Sequence, residues 1–133
     1  MTKIISSYRI TPYGSMLYIL STNNFSEAIE LYSSRDKGDD ELLEDAEALF
    51  FVGEDQNEMY VAFKGNPTLA YIIHEVTHMV EHMLKHNGVD DSETLAYSIG
   101  FWSEIVIRTI YPSTPLTTEW IGELVKVSST TLD

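Results

Sequence analysis

Apolar and polar positions recur along this chain with periods that mark out most of its elements. From Lys3 to Thr22 the pattern is that of β-structure. Ile4, Ile5, Tyr8 and Ile10 are β-formers, Pro12-Tyr13-Gly14 reads as a turn, and Ser15–Ser21 is a second apolar run. Asn23 or Asn24 then caps a short helix over Phe25–Ser33, with Phe25, Ala28, Ile29 and Tyr32 on one face. Ser34–Asp40 is a polar loop. Ala48–Gly53 and Met59–Lys64 are strand-like runs either side of Glu54–Glu58, the pattern of a hairpin.

Helical spacing takes over after that hairpin. Asn66-Pro67 supplies a cap residue followed by a proline suited to the first helical position. Leu69, Ile72, Ile73, Val76, Val80, Met83 and Leu84 form one apolar stripe, and Asn87-Gly88 ends the helix. The stripe is expected to pack on the sheet and to leave the opposite side facing a second helix. That helix is capped by Asp90-Asp91-Ser92, runs to about Ile110 and is stopped by Pro112. Its core stripe is Leu95, Ile99, Trp102, Val106 and Ile110; its other side carries Glu93, Ala96, Tyr97, Gly100, Glu104 and Tyr111. A short helix is expected over Thr117–Val127, followed by a frayed tail. The expected fold is α+β, a single domain over residues 1–133 in which a small antiparallel or mixed β-sheet packs against two long helices.

The first long helix carries His74-Glu75-Val76-Thr77-His78, an H-E-x-x-H pattern. Residues four apart stand one above the other on a helix, so both imidazoles can reach a single zinc ion. Glu75 lies roughly 60–100° round the helix, close enough to act on water at that ion without being a ligand. His82 and His86 continue the spacing of four. Residues eight apart are about 12 Å apart along the axis, so three histidines of this row cannot share one ion at zinc–nitrogen distances near 2.1 Å. His82 and His86 therefore read as solvated residues lining the same side. A third ligand must come from elsewhere, and Glu93 and Glu104 both point one way from the second helix, eleven residues apart. Axial bookkeeping for a plain antiparallel helix pair favours Glu104; an early end to the first helix or a steep crossing favours Glu93. Spacing leaves both open.

Composition narrows the chemistry further. There are no cysteines, which excludes disulfides, thiolate ligands and a cysteine nucleophile, so zinc can be held only by His and carboxylate. A net charge of −13, with no Lys or Arg from Gly38 to Phe63, argues against nucleic-acid binding, which needs clustered cations. It fits a strongly hydrated edge, a surface for a basic protein partner, or mimicry of DNA. No apolar run approaches the roughly 20 residues needed to span a bilayer. The opening residues lack a signal-peptide pattern, so a cytoplasmic location is expected.

His74-Glu-Val-Thr-His78 followed by Gly88-Val-Asp-Asp-Ser-Glu93-Thr-Leu-Ala96-Tyr97-Ser-Ile-Gly100 resembles the gluzincin arrangement, in which a Glu on the next helix completes a helical H-E-x-x-H site. It is still more similar to short metallopeptidase-type proteins encoded by tailed bacteriophages and prophages. These have a hairpin before the motif helix and a Glu followed at three and four residues by Ala-Tyr. The similarity covers Ala48 to Arg108. It implies a minimal zincin-like domain, ligands His74, His78 and Glu93, Glu75 as the catalytic carboxylate, a peptide or protein substrate, and the host cytoplasm as location. The gap from His78 to Glu93 is shorter than in thermolysin-like enzymes, which keeps Glu104 as a rival. By analogy, an extended peptide adds to a sheet edge such as Met59–Lys64. Each residue also has a plainer reading. Glu93 is a first-turn acid suited to the helix dipole. Tyr97 is either a packed aromatic or a transition-state donor. Gly100 lets two helices approach, and Trp102 and Trp120 pack. A non-catalytic acidic interaction protein or virion component, with a structural or vestigial metal site, is the competing function.

Overall fold

The structure is a computed structural model that describes residues 1–33, 46–112 and 130–131. The β-structure and turn expected over Lys3–Thr22 are there, as an antiparallel hairpin of strands β1 (Lys3–Ile10) and β2 (Ser15–Ser21). Gly14 closes its turn at φ +75°, a conformation that costs glycine nothing, and donates its N–H to the Ile10 carbonyl at 2.9 Å. Helix α1 (Phe25–Tyr32) begins where Asn24 accepts a hydrogen bond from the Glu27 N–H. Strands β3 (Ala48–Val52) and β4 (Glu58–Phe63) make the second hairpin. Helices α2 (Leu69–His86) and α3 (Ser92–Ile110) follow, and a two-residue strand, β5 (Thr130–Thr131), pairs with β1. The polar loop Ser34–Asp40 and the helix expected over Thr117–Val127, with Trp120, lie outside the described residues.

The α+β class is as expected, and the sheet is mixed, in the order β3-β4-β2-β1-β5. Two hairpins are joined through a parallel pairing of β2 with β4, Met16 opposite Glu58 through Ser21 opposite Phe63. This corrects one expectation. Met59–Lys64 is an interior strand, bonded on both sides, and the outer strand beside it is β3.

Alternation along the strands divides the core in two. Leu17, Ile19, Met59, Val61 and Phe63 face α2 and α3, while Leu20, Tyr60 and Ala62 face α1. A bulge at Ile5 lets Ile4 oppose Leu20 while Ser6 opposes Ile19. That shift puts Ile5 on the same side as Tyr8 and Ile10 despite the odd separation. On the α1 side, Tyr60 stacks with Tyr18, Tyr32 and Phe51 at centroid distances of 5.0, 5.1 and 5.0 Å. Burial, helped by the nearby Glu58 carboxylate, raises the Tyr60 phenol above the usual tyrosine range.

Helix α2 starts two residues later than expected. Thr68, not Asn66, is the cap, its hydroxyl accepting from the Tyr71 N–H. The Pro67 carbonyl is taken by the Tyr111 hydroxyl instead of by a helical N–H, and the Tyr71 N–H goes to the Thr68 hydroxyl. Ile72, Val76, Val80, Met83 and Leu84 are buried as the stripe predicted, and Met79 joins them. Burying each such side chain is worth about 1.5–3 kcal/mol, so this row holds the helix on the sheet. Leu69 and Ile73, assigned to the same stripe, are 52% and 41% exposed. Ile73 is about 100° round the helix from Ile72, which carries it past the rim of the contact. Gly88 at φ +71° ends α2 through the expected C-terminal turn.

Helix α3 has the predicted limits, with Asp91 as cap. Trp102 and Val106 are buried as expected, with Phe101 and Ile105 beside them, and the Tyr8 hydroxyl bonds Thr109 Oγ1 at 2.8 Å across to β1. Among the described residues Gly100 does not mark a close approach of helices, because a Cβ built there would meet nothing within 4 Å. Among the described residues no helix is long and apolar enough to cross a membrane.

Candidate functional site

The site is built from the polar side of α2 and the hairpin that runs along it. Glu75 occupies a helix position that would suit an apolar residue, and it is only 8% exposed. A buried carboxylate needs hydrogen-bond donors, and β3 supplies one: the Phe50 N–H donates to Glu75 Oε1 at 2.6 Å. Pairing explains why that amide is available. Gly53 and Lys64 donate to Glu58 and Glu47, so residues 47, 49, 51 and 53 bond to β4. Residues 48, 50 and 52 turn their backbone groups to the outer edge. The second oxygen, Oε2, lies 3.7 Å from His74 Nε2.

His74 and His78 come together. Their Nε2 atoms are 3.2 Å apart and their rings meet edge to face, with centroids 4.7 Å apart and planes at 84°. Two ligands about 2.1 Å from one zinc ion at a tetrahedral angle stand about 3.4 Å apart, so this pair fits an ion with almost no movement. Both side chains are open to solvent, at 66% and 53% exposure. Glu81, one turn beyond, sets its Oε1 3.7 Å from His78 Nδ1.

A row of residues four apart drifts about 40° round the helix per step. His82 is thereby carried towards the hairpin, where its Nε2 bonds the Gln56 carbonyl at 2.9 Å and its ring lies 5.9 Å from Phe50. His86 stacks on it at 5.9 Å with planes 4° apart. The polar and ring contacts of this side of α2 with other elements therefore go to the β3–β4 hairpin, not to the second helix as the apolar stripe had suggested.

The other candidates are placed apart from the pair. Glu93 is exposed in the first turn of α3, and Glu104 is half-buried three turns further along. Among the described residues no three His, Asp or Glu side chains converge closely enough to hold a metal ion. Tyr97 is 56% exposed and stacks on Phe101 with centroids 6.4 Å apart. It lines a cavity of about 140 Å³ with Pro12, Tyr13, Met83 and Trp102, and none of His74, Glu75 or His78 lines that space.

Two participants escaped the sequence reading. The Phe50 amide could not have been found there, because its role depends on which strand is outermost. Glu81 could have been: it is the only acid placed three residues after one of the four histidines. Compared with models of protein families, with curated proteins and with solved structures, the chain matches none.

Proposed function

We propose that this chain is a zinc-dependent peptidase of minimal zincin-like form, acting on a peptide or protein substrate in the cytoplasm. The observation that carries the proposal is the meeting of His74 and His78 Nε2 atoms at 3.2 Å on an open surface, with a Glu75 oxygen 3.7 Å from one of them. The two histidines fit the metal. Glu93, the third ligand that the gluzincin resemblance implies, joins them only if the first turn of α3 shifts, since the three groups do not converge. Bound zinc would supply Lewis-acid activation of water and of the scissile carbonyl.

The chain's own residues account for the rest. The Phe50 N–H fixes Glu75 Oε1, so Oε2 is the oxygen turned to the histidine side and the one that takes a proton from the attacking water. The same carboxyl then returns the proton to the leaving amine. The outer edge of β3 offers backbone groups to an extended peptide at Ala48 and Val52, the Phe50 N–H being engaged by Glu75. Of the two readings of Tyr97, its surroundings favour the packed aromatic.

The test is metal analysis of purified, zinc-supplemented protein, with incubation of a proteome-derived peptide library read by mass spectrometry. One zinc per chain is expected, with cleavage that a chelator stops and that Glu75→Gln abolishes while zinc is retained. Folded protein that takes up no zinc would overturn the reading. The exposure of the pair and the lack of a converging third ligand among the described residues favour a second reading, a non-catalytic acidic protein that binds a basic partner. It predicts binding that weakens with salt and is indifferent to Glu75→Gln.

A further inference from the structure

We infer that Glu81 is a positioning residue for His78, holding that imidazole in the tautomer a metal requires. The inference rests on the metal reading of the His74–His78 pair. A neutral imidazole has one N–H and one lone pair, so a ring that gives its Nε2 lone pair to a metal must carry its proton on Nδ1. Metal-bound histidines commonly have a carboxylate or carbonyl at that second nitrogen for this reason. His78 directs Nε2 to the shared point with His74, and its Nδ1 faces Glu81 Oε1 at 3.7 Å. A side-chain adjustment of about 1 Å closes that to a hydrogen bond.

The arrangement is local and selective. Residues three apart on a helix are neighbours, so α2 alone supplies the pair, with no help from strand or second helix. Three residues after His74, His82 and His86 stand Thr77, Lys85 and Val89. Thr77 already donates its hydroxyl to the Ile73 carbonyl. His82 spends its own Nε2 on the Gln56 carbonyl. Among the described residues only His78 combines an Nε2 turned to a second imidazole with an acid at Nδ1. Glu81 is 56% exposed and lies outside the buried core, so its replacement bears on the tautomer far more than on the fold.

The experiment compares Glu81→Ala and Glu81→Gln with the unmodified chain by competitive zinc titration. Long-range proton–nitrogen correlation spectra of the metal-free proteins read the His78 tautomer directly. Glu81→Ala is expected to weaken zinc binding about 10–100-fold and to convert His78 from the Nδ1–H form to a mixture. Glu81→Gln keeps an acceptor oxygen and should stay within several-fold. Unchanged affinity in Glu81→Ala, or a loss of affinity with the tautomer unmoved, overturns the inference. If the unmodified chain takes up no zinc, the peptidase reading fails. The spectra of the metal-free proteins still decide the Glu81 role, because the contact precedes the metal.

Discussion

Two histidine pairs sit on one helix with identical spacing, and they do different things. His74 and His78 turn their nitrogens on each other at 3.2 Å; His82 and His86 lie parallel, rings 5.9 Å apart, with one nitrogen committed to a backbone carbonyl. Spacing of four makes a pair of ligands available, but the neighbouring element decides whether the pair is used. The slow drift of the row round α2 takes His82 against the turn of the β3–β4 hairpin and leaves His74 and His78 facing open space. The two nitrogens thus meet where the hairpin stops satisfying the row, which is where we propose that the metal binds.

The largest effect should separate the pairs outright. His74→Ala or His78→Ala removes one of two converging ligands and should weaken zinc binding by at least about 100-fold, since a lone imidazole gives a weak site. His82→Ala and His86→Ala should leave it within a few-fold. Titration with zinc against a chromophoric chelator measures all four. Equal losses across the row would break the distinction drawn between the pairs.

Next in size is the carboxylate that lies between them on the helix. Glu75→Ala takes the acceptor from the part-buried Phe50 N–H, which should cost about 1–3 kcal/mol in urea denaturation. Glu75→Gln retains a carbonyl oxygen for that amide and should cost distinctly less, which makes it the better variant for testing catalysis. The smaller counterpart on the other pair is His82→Ala. It removes an exposed bond to the Gln56 carbonyl, worth at most about 0.5–1.5 kcal/mol, and should lower stability without touching zinc.

The contrast between legible and illegible features has the same origin. Asn24, Asp91 and Gly88 act within a few residues of themselves, and they bounded α1, α2 and α3 where the sequence pattern put them. The hairpin turns at Gly14 and across Asp55–Asn57 are equally local. The parallel match of β2 with β4 joins residues about forty apart, and no turn residue announces it. That one pairing makes β3 the outer strand, which in turn aims the Phe50 amide at Glu75. The histidine pair was therefore readable from spacing, whereas the partner of the Glu75 carboxylate was not. The choice of a third ligand depends on how α2 and α3 cross, which the apolar stripes of the two helices constrain only loosely.

The smallest expected effect concerns that third ligand. Helix α2 is capped by Thr68, which does not titrate, and α3 by Asp91, which does. Hydrogen bonds from the Thr94 hydroxyl and then its N–H hold the Asp91 carboxyl below the usual aspartate range. A depressed carboxyl stabilises the fold at pH above its ordinary range, and that contribution is lost as pH falls through the lowered value. Asp91→Asn keeps a capping oxygen but cannot titrate, so its denaturation midpoint should fall less steeply than that of the unmodified chain at the acid end alone. Glu93 stands two residues beyond this cap. If it joins His74 and His78 on the ion, Asp91→Asn should also shift the acid limb of zinc retention slightly. If the pair acts without α3, zinc retention should follow the same curve in both proteins, and the cap will have separated a site confined to one helix from a site that spans two.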